Sequence, residues 1–206
     1  MAVLIIDYGM GNLCSVKRAF EECGADAYIS DKPEDLRSAT HVILPGVGAF
    51  RDGMANLTER GWIPEIKEAV MKDNIPLLGI CLGMQLLADR GFEGGESEGL
   101  GLVHGEVILL EPDSPEVRIP HVGWNEIHKT GLDSLLEGIP DRTDFYFVHS
   151  YHFVPARSEY ILATTPYCGS FVSAVAADNV FGVQFHPEKS SRPGFQLIGN
   201  FLRIKV

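Results

Sequence analysis

The sequence predicts an α/β fold, with a mostly parallel central sheet flanked by helices and an antiparallel extension in the second half. Two observations carry this. The amino-terminal half alternates short, continuously apolar runs with helix-patterned segments, the signature of strands buried on both faces and joined by crossover helices. The middle of the chain instead holds strand-like runs with few helices between them.

Taken in order, Val3–Ile6 predicts a strand, Leu13–Cys23 a helix closed by Gly24, and Ala27–Ile29 a short strand. Thr40–Leu44 predicts a strand, Gly53–Arg60 and Pro64–Lys72 predict helices, and Leu77–Ile80 predicts a strand running into a sharp turn. The extension is predicted from Leu102–Leu110, Asn125–Lys129, Asp144–Val148 and Ile161–Thr164. A buried strand over Val180–Phe185 and a helix from Phe195 to Arg203 complete the pattern. No internal repeat, low-complexity tract or linker divides the chain, so residues 1–206 are expected to form one domain.

The 206 residues are 45% hydrophobic, enough for a substantial core. A net charge of −11 without a basic cluster argues against a nucleic-acid surface. No apolar stretch reaches the ~20 residues needed to cross a bilayer, so no membrane role is expected. The sequence opens directly on a strand pattern, which leaves no signal or transit peptide to be expected. Cys14, Cys23, Cys81 and Cys168 lack Cys-x-x-Cys spacing and suggest neither a zinc site nor a disulfide framework. A reduced, cytoplasmic setting fits.

The chemistry centres on Gly79-Ile80-Cys81-Leu82-Gly83, between the apolar run Ile75-Pro76-Leu77-Leu78 and the helix-like Met84-Gln85-Leu86-Leu87-Ala88. Strand, turn with a nucleophilic side chain, then helix is the order of a nucleophile elbow. Glycines two residues to either side suit its strained, crowded backbone. Amides at the start of the helix can stabilise a thiolate and donate to an oxyanion. A cysteine at the end of a buried strand is by itself more often a small core residue. Here a second buried strand delivers His186-Pro187-Glu188, and residues i and i+2 of an extended segment share a face. Glu188 can then orient the His186 imidazole, and the pair with Cys81 implies acyl transfer through a thioester.

Leu44-Pro45-Gly46-Val47-Gly48 follows another buried strand, and so is expected at the same carboxyl edge of the sheet, where ligands bind in open α/β folds. Val47 and Gly48 are the expected second oxyanion donors beside the Leu82 amide. Gly9-Met10-Gly11-Asn12 invites a dinucleotide reading, but Cys14 stands where the third glycine belongs, and that reading is rejected.

These segments together resemble the class I (triad) glutamine amidotransferases, whose flavodoxin-like fold is the one expected here. Within them the chain is similar to the branch that works with a separate cyclase in histidine biosynthesis. The resemblance runs nearly end to end. It is carried by Asp7-Tyr8-Gly9-Met10-Gly11-Asn12-Leu13, the Pro45-Gly46-Val47-Gly48 loop, Cys81-Leu82-Gly83-Met84-Gln85, Pro120-His121-Val122-Gly123-Trp124-Asn125, Phe147-Val148-His149-Ser150-Tyr151 and Gln184-Phe185-His186-Pro187-Glu188-Lys189-Ser190. It implies Cys81 as nucleophile, His186 as proton carrier and Glu188 as its orienting partner. It implies Gln85, Glu93, Val148, His149, Ser150 and Tyr151 around the glutamine. It also implies a heterodimer with a β/α-barrel cyclase that receives the ammonia, with Asn12, Val122, Trp124 and Lys189 at the interface. Taken alone, Trp124 reads more readily as a core anchor than as an interface residue, and the resemblance reverses that. His149 and His152 read as structural or substrate-lining, and the chemistry calls for no metal or cofactor. Other readings stay open: a glutaminase for anthranilate, aminodeoxychorismate or pyridoxal phosphate synthesis, a binding protein on a degenerate glutaminase fold, or a free-standing thiol hydrolase.

Overall fold

The computed structural model describes residues 1–205. Strand β1 (Ala2–Ile6) leads into helix α1 (Leu13–Glu22), where the Asn12 side chain accepts from the Ser15 N–H as the N-terminal cap. Strands β2 (Asp26–Ser30) and β3 (His41–Gly46) follow, then helices α2 (Phe50–Glu59) and α3 (Trp62–Met71). Strand β4 (Leu77–Cys81) passes directly into the short helix α4 (Leu82–Leu86). The rest comprises β5 (Arg90–Gly91), β6 (Ser97–Glu98), β7 (Gly105–Leu109), β8 (His121–Lys129), β9 (Thr143–His149), β10 (Tyr151–Pro155), β11 (Ile161–Thr165), β12 (Phe171–Ala177), β13 (Val180–Val183) and helix α5 (Ser191–Arg203).

The sheet runs β2-β1-β3-β4-β13-β12-β10-β7-β5-β6. From β2 to β13 every pair is parallel. Strands β12, β10 and β7 then continue it antiparallel. Strand β11 joins β12 to β8, and β8 forms a long antiparallel ladder with β9. The expected parallel sheet with an antiparallel extension is therefore what the chain builds. No helix among the described residues is long and apolar enough to cross a membrane.

Two apolar layers cover the parallel part, and β1 shows why its sequence does not alternate. Val3 and Ile5 enter the layer under α1 and α5, whereas Leu4 and Ile6 enter the layer under α2, α3 and α4. All four are fully buried, each contributing roughly 1.5–3 kcal/mol of transfer free energy.

Several boundaries differ from the sequence pattern for identifiable reasons. Helix α2 starts at Phe50 rather than Gly53, because Gly53 lies inside it as a contact point; a Cβ there would meet the Leu86 methyls of α4 at 3.1 Å. Helix α3 begins at Trp62, with Pro64 in its first turn, where the missing N–H costs nothing. The run Leu102–Leu110 is strand only from Gly105, since the amides of Leu102 and Val103 donate to the Leu87 carbonyl after α4. Strands β10 and β12 were not legible. Four of the seven residues of β12 are alanine or serine, which have weak strand preference.

Candidate active site

The elbow forms because the chain reverses from β4 to α4 with no loop. Cys81 takes φ 55° and ψ −109°, a conformation L-residues avoid, and its side chain is buried at the turn. The flanking glycines are obligatory. A Cβ on Gly79 would sit 2.7 Å from the Gly83 carbonyl, and one on Gly83 would collide with the Leu44 carbonyl oxygen. The Cys81 sulfur lies 3.8 Å from the Val148 carbonyl oxygen and accepts from Gln184 Nε2 at 3.7 Å.

Strand β13 lies parallel to β4, with Val183 beside Ile80, so both end at the same edge of the sheet. His186 and Glu188 nevertheless do not meet as i and i+2 of an extended strand, as the sequence suggests. Strand β13 stops at Val183 and Pro187–Lys189 forms a 3-10 turn, which brings Glu188 Oε1 within 2.8 Å of His186 Nδ1. Strand β9 clamps this turn. The His186 amide donates to the Tyr146 carbonyl, and Ser190 Oγ accepts from the Tyr146 amide while donating to the His186 carbonyl. Both side chains are 3% exposed. Among the described residues His186 Nε2 is buried without a well-formed hydrogen bond, which leaves it available to a reacting group. Burial alone would lower the His186 pKa. Interaction with Cys81 and the hydrogen bond to Glu188, with the negative charges they carry, outweigh it and raise the pKa to about 9.

Cys81 opens on a cleft of about 450 Å³ whose walls include Val47, Gly48, Leu82, Gln85, Glu93, Val148, His149, Ser150 and Tyr151. Every residue expected from the sequence to bind substrate or an oxyanion is thus brought to one place. The loop arrives because Gly46 pairs with Cys81 across β3 and β4. Gly48 has φ +127°, which a residue with a Cβ tolerates poorly. Gln85 Nε2 donates to the Tyr151 carbonyl at 2.9 Å and to Gln184 Oε1 at 3.0 Å, which leaves its own carbonyl oxygen as the free acceptor. Glu93 is anchored by the Phe50 amide, 2.8 Å from Oε2.

On a neighbouring surface, Trp124 is 54% and Val122 56% exposed, so Trp124 is not a core anchor in this chain. Trp124 packs edge-on against Tyr146, and Lys189 Nζ lies over the Tyr146 ring at 5.7 Å. Asn12 is also exposed, in its capping position.

The family model for class-I glutamine amidotransferases matches residues 4–204. The chain belongs to that family. This amidotransferase is 47% identical over 202 residues to the Imidazole glycerol phosphate synthase subunit HisH 1 of Campylobacter jejuni, covering 98% of this chain and all of that protein. It is 48% identical to the HisH subunit of Moorella thermoacetica, covering 97% and 93% of the two chains. Against that of Agrobacterium fabrum the identity is 46% over the whole of both. Two solved structures share the fold. A glutamine amidotransferase matches at TM-score 0.74 and 22% identity, covering 96% of this chain and 98% of the other. PurLQS from Thermotoga maritima matches at 0.75 and 19%, covering 98% and 97%.

Two residues near the amidotransferase centre stand in the sequence only within the resembling segments, with no role attached. Gln184 bridges Gln85 and the Cys81 sulfur, and its signal was a polar side chain inside an otherwise apolar run, which must be satisfied when buried. The fully buried Tyr8 has a hydroxyl with no hydrogen-bond partner among the described residues, and burial, then the nearby Cys81 charge, push its pKa upward. No local pattern marked Tyr8, because its neighbourhood is made by β3 and α4.

Proposed function

We infer that this amidotransferase is the glutaminase subunit of imidazole glycerol phosphate synthase in histidine biosynthesis. It hydrolyses glutamine to glutamate and ammonia for a cyclase partner. The observation that carries the chemistry is Cys81 opening onto a cleft beside the buried His186–Glu188 pair, and the relatives' identities support the choice of synthase.

Cys81 Sγ attacks the side-chain amide carbon of glutamine, and the thiol proton resides on His186 Nε2. The resulting oxyanion accepts from the Leu82 amide, the first of α4, and from the Val47–Gly48 loop. Collapse of the tetrahedral species breaks the C–N bond. His186 returns its proton to the departing nitrogen, which leaves as ammonia with a thioester on Cys81. Water, deprotonated by His186, attacks the thioester and releases glutamate. Glu188 keeps the imidazole oriented and stabilises its charged form. Gln85 Oε1 and Glu93 offer acceptors for the substrate ammonium, and the Val148–Tyr151 backbone completes the cleft.

The exposed Trp124, Val122 and Lys189, with Asn12, suit a heterodimer interface with a β/α-barrel cyclase that takes ammonia without release to solvent, in the cytoplasm. Aromatic anchors of this kind dominate interfaces. The test is glutamate release by the chain alone, then with the cyclase and its nucleotide-like substrate. Activity that appears or rises steeply in the complex supports the reading. No glutamate release in either condition overturns it.

A further inference from the structure

Behind the glutamine cleft, two buried imidazoles form a hydrogen-bonded row whose polarity can be read from one end to the other. His121 opens β8 and His149 ends β9, facing each other in the same ladder and 3% and 6% exposed. His121 Nδ1 lies 3.1 Å from His149 Nε2, and His149 Nδ1 lies 2.9 Å from the Tyr151 carbonyl. At the outer end, Asn125 Nδ2 lies 3.3 Å from His121 Nε2.

The end groups decide every proton. Asn125 Oδ1 accepts from the Glu126 amide at 2.9 Å, so the side facing His121 is the NH2, and His121 Nε2 must accept. His121 then carries its proton on Nδ1 and donates to His149 Nε2. His149 in turn carries its proton on Nδ1 and donates to the Tyr151 carbonyl, which only accepts. A proton added to either ring places two donors face to face, and no tautomer shift absorbs it short of turning Asn125 away from the Glu126 amide. The surroundings also disfavour charge. Tyr167 stacks on His121 at 3.9 Å, while Phe147 and Phe171 pack on both rings. The titratable neighbours of His149 besides His121 are His152 and His186, and among the described residues neither ring has a carboxylate partner. Burial accordingly lowers the His121 pKa to about 4 and that of His149 to about 3.

The same Tyr151 carbonyl receives Gln85 Nε2, so the row holds both the Ser150–Tyr151 backbone and Gln85 in the cleft wall. We propose that His121 is a positioning residue for the glutamine site, acting through His149 to hold the Tyr151 carbonyl and thereby the orientation of Gln85. This rests on the cleft being the glutamine site. His121 never touches substrate in this arrangement. It transmits order from β8, which also bears Val122 and Trp124, to the wall opposite Cys81.

The kinetic test compares His121→Phe, which keeps the ring stack but removes both nitrogens, with His121→Asn, whose amide NH2 can replace Nδ1–H toward His149. In the complex with the cyclase, His121→Phe is expected to raise KM for glutamine about fivefold to tenfold, the worth of one or two hydrogen bonds, while kcat changes less than about twofold. His121→Asn should restore KM to within about twofold of the original. A purely structural role would lower the melting temperature of both variants without moving KM. An unchanged KM in His121→Phe overturns the proposal. If His121→Phe fails to fold, 15N histidine spectra of the unaltered chain decide. Both rings should be neutral Nδ1–H tautomers from pH 8 to about 5.5, and an Nε2–H tautomer or a titration in that range overturns the proposal. Absence of glutamate release by the unaltered complex would instead sink the glutaminase reading, leaving the tautomers to decide this one.

Discussion

Glu188 Oε1 sits 2.8 Å from His186 Nδ1 in a pair almost wholly withdrawn from water, and this short carboxylate–imidazole contact acts together with Cys81 to raise the His186 pKa. With the His186 pKa raised from its ordinary 6.5 to about 9, the imidazolium persists at neutral pH, ready to protonate departing ammonia. Glutamine hydrolysis should fall as pH rises through about 9. Glu188→Gln removes the charge that favours imidazolium, so the alkaline limb should move to lower pH. A limb unmoved by Glu188→Gln would show that the carboxylate does not tune His186.

Stability should follow the same sign. A folded-state pKa above the unfolded value contributes stability that is fully present below about pH 6.5 and is lost as pH rises through about 9. The contribution is on the order of 3 kcal/mol, shared between Cys81 and Glu188. Melting temperature should therefore drop between pH 7 and pH 9.5 in the native chain, and drop less in Glu188→Gln. Equal drops would contradict this account.

Cys81 combines reactivity with strain, and two substitutions separate them. Cys81→Ala and Cys81→Gly should both abolish glutamine hydrolysis while the complex still makes product from added ammonia. Only glycine relieves the backbone at φ 55°, so Cys81→Gly should be more stable than Cys81→Ala by about 1 kcal/mol after its extra chain entropy is offset. Chemical denaturation measures the difference, and a less stable glycine variant would mean that the turn carries no strain.

Gly83→Ala should be among the most damaging single changes in the chain. The added methyl meets the Leu44 backbone carbonyl of β3, which cannot move without opening the parallel sheet. A loss of more than about 3 kcal/mol is expected, or failure to fold. A soluble Gly83→Ala protein with near-native melting would show that the elbow has more room than its geometry implies.

Trp124→Ala should leave the isolated chain within about 0.5 kcal/mol of its original stability, because the ring is half exposed and lies edge-on to Tyr146 at the surface. Association with the cyclase should weaken by ~2 kcal/mol, roughly thirtyfold. Titration calorimetry reads the second number. Unchanged affinity would move the interface elsewhere.

The parts legible in the sequence were those encoded locally. Apolar runs such as Val3–Ile6 and Val180–Val183 stated that strands are buried on both faces, and Gly79, Cys81 and Gly83 stated the elbow through spacing alone. His186 and Glu188 were also legible as partners, although through the wrong local geometry. Strand β12 was not, because its small side chains acquire strand structure from the neighbours they fit between.

By itself, then, the sequence determined the fold class, the strand–turn–helix at Cys81, the nearness of His186 to Glu188 and the Val47–Gly48 loop, since each rests on patterns and backbone constraints local in the chain. Only the tertiary structure decided that Pro187–Lys189 turns rather than extends, that Glu93 reaches the cleft by binding the Phe50 amide, and that Gln184 holds the Cys81 sulfur. It alone placed His121 against His149 and left Trp124 half exposed. Those relationships join residues far apart in the chain, and a buried polar group is satisfied by whichever donor or acceptor the packed sheet brings to it, which no local pattern records.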